Sequence, residues 1–182
     1  MSITLDQAIA ALNDVNYQTL DGLKQLVKLI SVEIQNQTPN AVTLLYSGNV
    51  GDLPAWQIAN QIAEVSGGKV ITIGQTPVAQ FIESIEFKDA LQQAAGTNDP
   101  IVLKSLLDGT TNPDGTRTQG MWDIASQNLA EAATGDVRTI SPFAESGKVF
   151  AATELPTLLN NDVATLNRTH FLKYSQKKCE SK

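Results

Sequence analysis

Short apolar segments that alternate with helical patterns are the feature of this sequence that most constrains its fold. The segment 41–46, Ala-Val-Thr-Leu-Leu-Tyr, is apolar and partly β-branched, and a Ser-Gly pair follows it. Because a helical pattern comes next, over 54–65, the segment predicts a strand of a buried parallel sheet. Further segments of strand-like character occupy 70–73, 137–140, 148–152 and 163–166. This alternation predicts an α/β fold.

Two helical patterns precede the first predicted strand. Thr4 or Asp6 can cap a short helix, and a stripe with a period of 3.6 residues runs from Leu20 to Ile34. Later helical patterns cover 78–91 and 121–133, and 101–107 is a helical or mixed segment. We therefore expect an N-terminal helical part, about residues 1–40, followed by a small, mostly parallel β-sheet flanked by helices. Without a visible repeat or linker, we expect a single domain over 1–182 with a polar tail from about 172.

The charge balance excludes several classes of function. The 182 residues include 13 basic and 19 acidic side chains, for a net charge of −6, which opposes binding to nucleic-acid phosphates. No apolar run approaches the ~20 residues of a membrane span. The first residues lack the basic and apolar regions of a secretory signal. We expect the protein to act in a cytoplasm. It either remains in the cell that makes it or is delivered into a target cell by a route that needs no Sec signal.

The inventory of reactive side chains is small. Cys179 is the one cysteine and His170 the one histidine, so an internal disulfide and a zinc site are excluded and a Ser-His-Asp triad is unexpected. The segment 66–69, Ser-Gly-Gly-Lys, lacks the flanking residues of a phosphate loop and fits a helix end. The oxygen-rich segment 108–115 misses the EF-hand spacing and fits a surface loop. We expect no metal and no cofactor, which leaves carboxylates as the candidate reactive groups.

Two features permit both a structural and a functional interpretation. Trp122 and Ser126 lie four residues apart and share one face of a predicted helix. That face could bind a ligand by stacking and a hydrogen bond, but packing in a core is the commoner outcome. Glu154 follows an apolar segment, where it could end a strand at a functional edge. The residues alone favour the alternative that Glu154 caps a helix over 155–161.

Four segments together resemble the ADP-ribosyl cyclase/NAD glycohydrolase family. Segment 150–158, Phe-Ala-Ala-Thr-Glu-Leu-Pro-Thr-Leu, is similar to the region around that family's catalytic glutamate. Segment 122–133 is similar to its W-x-x-x-S helix with an Ala-Glu-Ala-Ala continuation. Segment 44–48 is similar to its Leu-Phe/Leu-Trp-Ser segment, and 71–76 to its Thr-Leu-Glu-Asp-Thr signature. The four segments occur in the family's order.

The resemblance implies an ADP-ribosyl cyclase-like fold and a set of site residues. Its implied catalytic residues are Glu154, Ser126 and Trp122, and its implied substrate-binding residues are Tyr46, Ser47, Gln75, Thr76, Glu83 and Phe150, with Trp56 as a further pocket wall. The chain departs from the family where Gly74 and Gln75 replace the acidic pair of the signature. Glu83 is assigned by counting nine positions from Gly74. The departure leaves open how nicotinamide is bound and which product predominates.

The implied reaction is cleavage of the nicotinamide–ribose bond of NAD⁺ or NADP⁺, which serves as substrate and not as cofactor. Capture by water gives ADP-ribose, and capture by the adenine ring gives cyclic ADP-ribose. The acidic, disulfide-free chain also resembles NAD-depleting bacterial toxins, which implies a possible immunity protein as partner. Two alternatives are a catalytically silent nucleotide-binding or protein-interaction domain on the same scaffold, and an unrelated α/β domain in which Trp122 and Ser126 are core and Glu154 is a cap.

Overall fold

The chain begins with helices and then alternates strands with helices. The computed structural model describes residues 2–33, 38, 40–141, 150–160 and 164–166. Its helices are α1 (Leu5–Ala11), α2 (Leu20–Leu29), α3 (Ala55–Val65), α4 (Pro77–Glu83), α5 (Ile85–Ala95), α6 (Pro100–Asp108), α7 (Met121–Ala132) and α8 (Leu155–Leu159). Its strands are β1 (Val42–Tyr46), β2 (Asn49–Val50), β3 (Leu53–Pro54), β4 (Val70–Ile71), β5 (Thr110–Thr111), β6 (Arg117–Thr118), β7 (Gly135–Ile140) and β8 (Ala164–Leu166). None of the helices in the described part of the chain combines the length and apolar character that crossing a membrane requires.

The central sheet contains four parallel strands in the order β4-β1-β7-β8. Tyr46 pairs with Ile140, so β1 and β7 end at the same edge of the sheet. The backbone N–H of Ser47 extends this pairing by donating to the carbonyl of Ile140 over 2.9 Å. Two short antiparallel hairpins, β2–β3 and β5–β6, lie outside the sheet. The predicted α/β class, with an N-terminal helical part and a small, mostly parallel sheet flanked by helices, is confirmed.

Local side-chain bonds determine where the first helices begin and end. Thr4 and Gln7 form a capping box at the start of α1, in which each side chain accepts the other residue's backbone N–H over 3.3 and 3.0 Å. Helix α2 ends earlier than predicted, because Ile30 has an extended backbone and forms a parallel bridge with Ile3. The predicted helix end at Ile34 lies outside the described residues.

The main hydrophobic core joins the N-terminal helices to the sheet and to α7. Its fully buried large side chains include Leu23 and Leu26 of α2, Phe81 of α4, Phe87 of α5 and Met121 of α7. The rings of Phe81 and Phe87 meet edge to face with centroids 4.9 Å apart, a favoured aromatic geometry. This packing fixes α7 against the body of the fold, and α7 is the helix that contains the predicted Trp122–Ser126 face.

The predicted strand over 148–152 is wrong where the structure describes it. Residues Phe150–Glu154 form a π-helical turn that leads directly into α8, and 148–149 lie outside the described residues. The hydroxyl of Thr157 donates to the carbonyl of Thr153, four residues earlier, over 2.8 Å, and the Thr153 hydroxyl donates to Asp123 of α7 over 3.3 Å. A short apolar run is compatible with a helix as well as with a strand, and these bonds favour the helical turn.

Candidate active site

Glu154 is the last residue of the π-helical turn. Its backbone is helical, with φ −68° and ψ −47°, and its side chain makes no capping hydrogen bond to α8. The interpretation that Glu154 ends a strand is therefore wrong. Glu154 does precede α8 at its N-cap position, as the alternative interpretation expected, but its side chain does not cap the helix. The turn instead directs the carboxylate into the protein, where only 4% of the residue is exposed.

The surroundings of the Glu154 carboxylate oppose its ionisation. Burial raises the pKa of Glu154 to about 8, and the negative charge of Asp123 contributes in the same direction. A hydrogen bond from Ser126 acts in the opposite sense, because it stabilises the carboxylate form. The Oε2 atom of Glu154 is buried and accepts no hydrogen bond in the part of the chain that the structure describes. A buried carboxylate oxygen without a donor is costly, and in a folded protein it calls for an explanation such as strain, a catalytic role, or a water or ion that binds it.

Helix α7 presents Ser126 to Glu154. Ser126 is 5% exposed, and its hydroxyl interacts with the Glu154 carboxylate. Trp122 lies one turn earlier on the same helix, partly buried and packed against the main core. The structure thus brings Ser126 and Glu154 together, and it places Trp122 on the same helix as Ser126 with part of its ring accessible.

Tyr46 reaches the same group from the carboxyl end of β1. Burial raises the pKa of the Tyr46 hydroxyl above its ordinary value, and the nearby charge of Glu154 raises it further. Ser47, the next residue, is buried. In parallel α/β sheets, ligands bind beyond the carboxyl ends of the strands. Glu154, Ser126 and Tyr46 form a group at that edge of this sheet.

Asp123 also lies close enough to Glu154 for its charge to affect that residue, and the sequence analysis did not identify it as a site residue. It is fully buried on α7, between Trp122 and Ser126. Its carboxylate accepts from Arg117 Nε over 2.8 Å and from the backbone N–H of Gly120 over 2.9 Å. An Asp three residues after a Gly, at the start of a helix, is a signal for a capping residue and gives no sign of a neighbouring Glu.

Two predicted binding residues, Gln75 and Thr76, make hydrogen bonds within local structure. The amide oxygen of Gln75 accepts from the backbone of Thr72 over 3.5 Å, within the 3-10 turn Ile73–Gln75. The Thr76 hydroxyl caps α4: it donates to the carbonyl of Ile73 over 2.6 Å and accepts from Ala79 N–H over 3.3 Å. Neither side chain contacts Glu154 among the described interactions, so their assignment to substrate rests on the resemblance alone.

The remaining predicted residues lie apart or outside the described side chains. Glu83 is exposed at the end of α4 and pairs with Lys88 over 2.8 Å, a position that does not support a pocket role. Trp56 is 50% exposed in the first turn of α3. Phe150 begins the π-helical turn, but its side chain lies outside the described part.

A cavity of about 730 Å³ occurs at the other end of the sheet. It is lined by residues at the amino ends of β1 and β7, among them Val42, Thr43, Gly135 and Asp136. Glu154, Ser126 and Tyr46 do not line it. The volume of this cavity is within the range of ligand pockets. The buried Glu154 carboxylate with its raised pKa lies at the opposite edge of the sheet, and a perturbed carboxyl group is the stronger sign of an active site.

The described residues contain no cluster of three or more His, Cys, Asp or Glu side chains that could bind a metal ion. The oxygen-rich segment 108–115 belongs largely to the β5–β6 hairpin. There, Asp114 accepts from the N–H and the hydroxyl of Thr116 over 2.9 and 2.6 Å, so its carboxylate stabilises the turn.

Comparisons with known proteins find similarity among solved structures but not among sequences. No protein-family model and no curated protein sequence matches the chain. Among solved structures, the chain is similar to Aplysia cyclase complexed with substrate NGD and product cGDPR, at 18% identity and a TM-score of 0.48. The match covers 82% of this chain and 55% of that one, so this chain spans little more than half the length of the solved protein. At this identity and score, the likeness carries no argument about activity.

Proposed function

We propose that this chain cleaves the nicotinamide–ribose bond of NAD⁺ or NADP⁺, with the Glu154 carboxylate stabilising the positive charge that develops on the ribose. The observation that supports the proposal is the buried Glu154 side chain beside Ser126 at the carboxyl edge of the sheet, whose Oε2 has no donor among the described residues. Such a carboxylate is poorly stabilised in the free protein, and a cation placed against it supplies the missing interaction.

The chemistry requires few groups. The nicotinamide ring of the substrate is cationic, so it departs as a neutral molecule and needs no general acid. The bond between nicotinamide nitrogen and ribose breaks with its electron pair on nitrogen, which leaves an oxocarbenium-like ribose, as in glycoside cleavage. A carboxylate in a water-poor site stabilises that charge. Water then adds to the ribose and releases one proton, which gives ADP-ribose.

The neighbouring side chains have defined roles in this proposal. Ser126 binds the ribosyl group through its hydroxyl, Trp122 stacks against the nicotinamide ring, and Tyr46 forms a wall of the pocket. Since Glu154 and Ser126 are only 4% and 5% exposed, substrate binding must move the side chains that bury them. The positive charge of the substrate also favours the ionised form of Glu154, because an opposite charge lowers the pKa of a carboxyl group.

The experiment follows nicotinamide release from NAD⁺ and from NADP⁺ by the wild type, by Glu154→Gln and by Glu86→Gln. Glu86 is an exposed glutamate of α5, so its variant controls for the substitution itself. We expect release by the wild type and Glu86→Gln and a large loss in Glu154→Gln. An inert wild type with both substrates contradicts the proposed reaction, and full activity in Glu154→Gln contradicts the assignment of the residue. Product chromatography separates ADP-ribose from cyclic ADP-ribose.

A silent binding domain is the competing function, and its prediction is substrate binding without nicotinamide release. A role as an NAD-depleting toxin capped by an immunity protein is a further hypothesis that depends only on the sequence resemblance.

A further inference from the structure

We propose that Asp123 is a positioning residue for Glu154: its carboxylate binds the Thr153 hydroxyl and thereby fixes the π-helical turn against α7. The proposal rests on the proposed function for its effect on rate. The hydrogen-bond network around Asp123 is not among the features that the family resemblance implied. Its effect on the ionisation of Glu154 can be measured whether or not the protein is an active enzyme.

The Asp123 carboxylate is the centre of this network. It is fully buried and accepts three hydrogen bonds, from Arg117 Nε at 2.8 Å, from Gly120 N–H at 2.9 Å and from the Thr153 hydroxyl at 3.3 Å. Arg117 Nε and Thr153 both donate to Oδ1, and Gly120 donates to Oδ2. A buried carboxylate with three donors has one favoured orientation. Thr153 is therefore bound to an acceptor that cannot easily move.

The elements around Asp123 are fixed in turn by close backbone packing. A Cβ atom on Gly109 would lie 2.3 Å from Oδ2 of Asp123, and one on Gly120 would lie 2.2 Å from the backbone nitrogen of Gly109. Arg117 also donates to the carbonyl of Asp108 at the end of α6. The end of α6, the β5–β6 hairpin and the start of α7 thus meet at one carboxylate.

Thr153 transmits this fixed position to Glu154, its neighbour in sequence. Thr153 makes a second hydrogen bond through its backbone, since its carbonyl accepts from the Thr157 hydroxyl in α8 over 2.8 Å. The Thr153–Asp123 bond connects α7 to this turn at the residue next to Glu154, whereas Ser126 of α7 interacts with the Glu154 side chain. Without the Thr153–Asp123 bond, the turn loses a hydrogen bond and Glu154 gains freedom to leave its buried place.

Among the described residues, the charged and titratable groups around Glu154 come from α7, β1 and β6. Asp123 faces it from α7 and Tyr46 from β1, while Arg117 of β6 balances the charge of Asp123. Asp123→Asn would remove the charge that pairs with the partly buried Arg117, so its effect on folding stability would accompany any effect on Glu154. A variant at Thr153 avoids this difficulty, because the Arg117–Asp123 pair remains intact.

The test compares Thr153→Val, Thr153→Ser and Thr19→Val with the wild type. Valine matches threonine in shape but cannot donate, and serine keeps the hydroxyl. The Thr19 hydroxyl caps α2 by accepting from Gly22 N–H over 3.0 Å, so Thr19→Val is the same substitution, with loss of a different hydrogen bond, far from Glu154 in sequence. In the nicotinamide assay we expect kcat to fall about tenfold or more in Thr153→Val, with KM within about twofold. Thr153→Ser and Thr19→Val should retain kcat within about twofold per folded molecule.

A second measurement follows the ionisation of Glu154 directly, by NMR of a ¹³C-labelled glutamate carboxyl that Glu154→Gln identifies. We expect its midpoint to fall toward that of an exposed glutamate in Thr153→Val, and to remain near the wild-type value in Thr153→Ser and Thr19→Val. An unchanged midpoint in Thr153→Val overturns the proposal whatever the rate. A changed ionisation midpoint together with an unchanged kcat in Thr153→Val also overturns the proposal, because the position of the Glu154 carboxylate then does not affect the reaction. If the wild type releases no nicotinamide, the proposed function fails, and the midpoint alone decides whether Asp123 positions Glu154.

Discussion

The Glu154 side chain lies where its own ionisation is unfavourable. Burial is the main cause, the charge of Asp123 adds to it, and the hydrogen bond from Ser126 offsets only part, so the pKa rises to about 8. In the proposed reaction the ionised form is the active one, because it must stabilise a developing positive charge. The free protein therefore holds most of this residue in the inactive, protonated form at neutral pH.

This ionisation predicts how the rate depends on pH. The value of kcat/KM reports ionisations of the free enzyme, so it should rise about tenfold per pH unit below the pKa of about 8 and level off above it. The rate is lost as the pH falls, since protonation removes the charge. The measurement is kcat/KM for nicotinamide release between about pH 6 and 9, with an enzyme-free blank at each pH. A profile that is flat, or that falls as the pH rises over this range, contradicts the assignment.

The sequence predicts some residues of this site and not others, for a physical reason. Glu154, Ser126 and Trp122 lie in segments with recognisable spacing, and the structure places Ser126 beside Glu154. Asp123 acquires its role only when Thr153, thirty positions away, and Arg117, six positions away, approach it. Those approaches depend on a π-helical turn and a hairpin of two-residue strands. Elements this short have no periodicity that a sequence pattern can reveal.

At the scale of elements, capping side chains set boundaries that apolar periodicity misses. The helical pattern over 78–91 predicts one helix, but the chain forms α4 and α5 with a break at Ser84. The Ser84 hydroxyl donates to the carbonyl of Phe81 over 2.7 Å and accepts from Phe87 N–H over 3.2 Å. Ser84 has an extended backbone and caps α5, so one residue divides a continuous apolar stripe. Both helices still bury their apolar faces in the same core, which is why periodicity alone found the helices but not the break.

The capping role gives a prediction for Ser84→Ala. Loss of an N-cap hydroxyl costs about 1 kcal/mol, so we expect the free energy of unfolding to fall by about that amount. The rate of nicotinamide release per folded molecule should remain unchanged, because Ser84 makes its described bonds within α4 and α5. Urea denaturation and the release assay on the same preparation measure both quantities. A stability equal to that of wild type would show that Ser84 does not cap α5 in solution.

At the scale of the whole molecule, one core joins the N-terminal helices to the rest. Ala8 of α1 and Leu23 of α2 belong to the same buried cluster as Phe81, Met121 and Val137. Elements that share one core unfold together in small domains. The sequence supports the same expectation of a single domain, because no linker separates the N-terminal helical part from the strands and helices that follow it.

We therefore predict one cooperative unfolding transition. Far-UV circular dichroism and tryptophan fluorescence should give coincident urea curves, with Trp56 reporting from α3 and Trp122 from α7. The calorimetric and van't Hoff enthalpies should also agree. Two separated transitions would show that the N-terminal helices form an independent unit, and the single-domain prediction would then be wrong.

The central claim is that one buried carboxylate is responsible for cleavage of the nicotinamide–ribose bond. Its most direct test is the initial rate of nicotinamide release from NAD⁺ by wild type, Glu154→Gln and Glu86→Gln at about pH 8.5, above the pKa of Glu154. Each rate is divided by the concentration of folded protein. We predict that Glu154→Gln lowers kcat by about 100-fold or more, since it removes a charge that acts on the transition state, and that Glu86→Gln matches the wild type. Equal rates for Glu154→Gln and the wild type would contradict the claim.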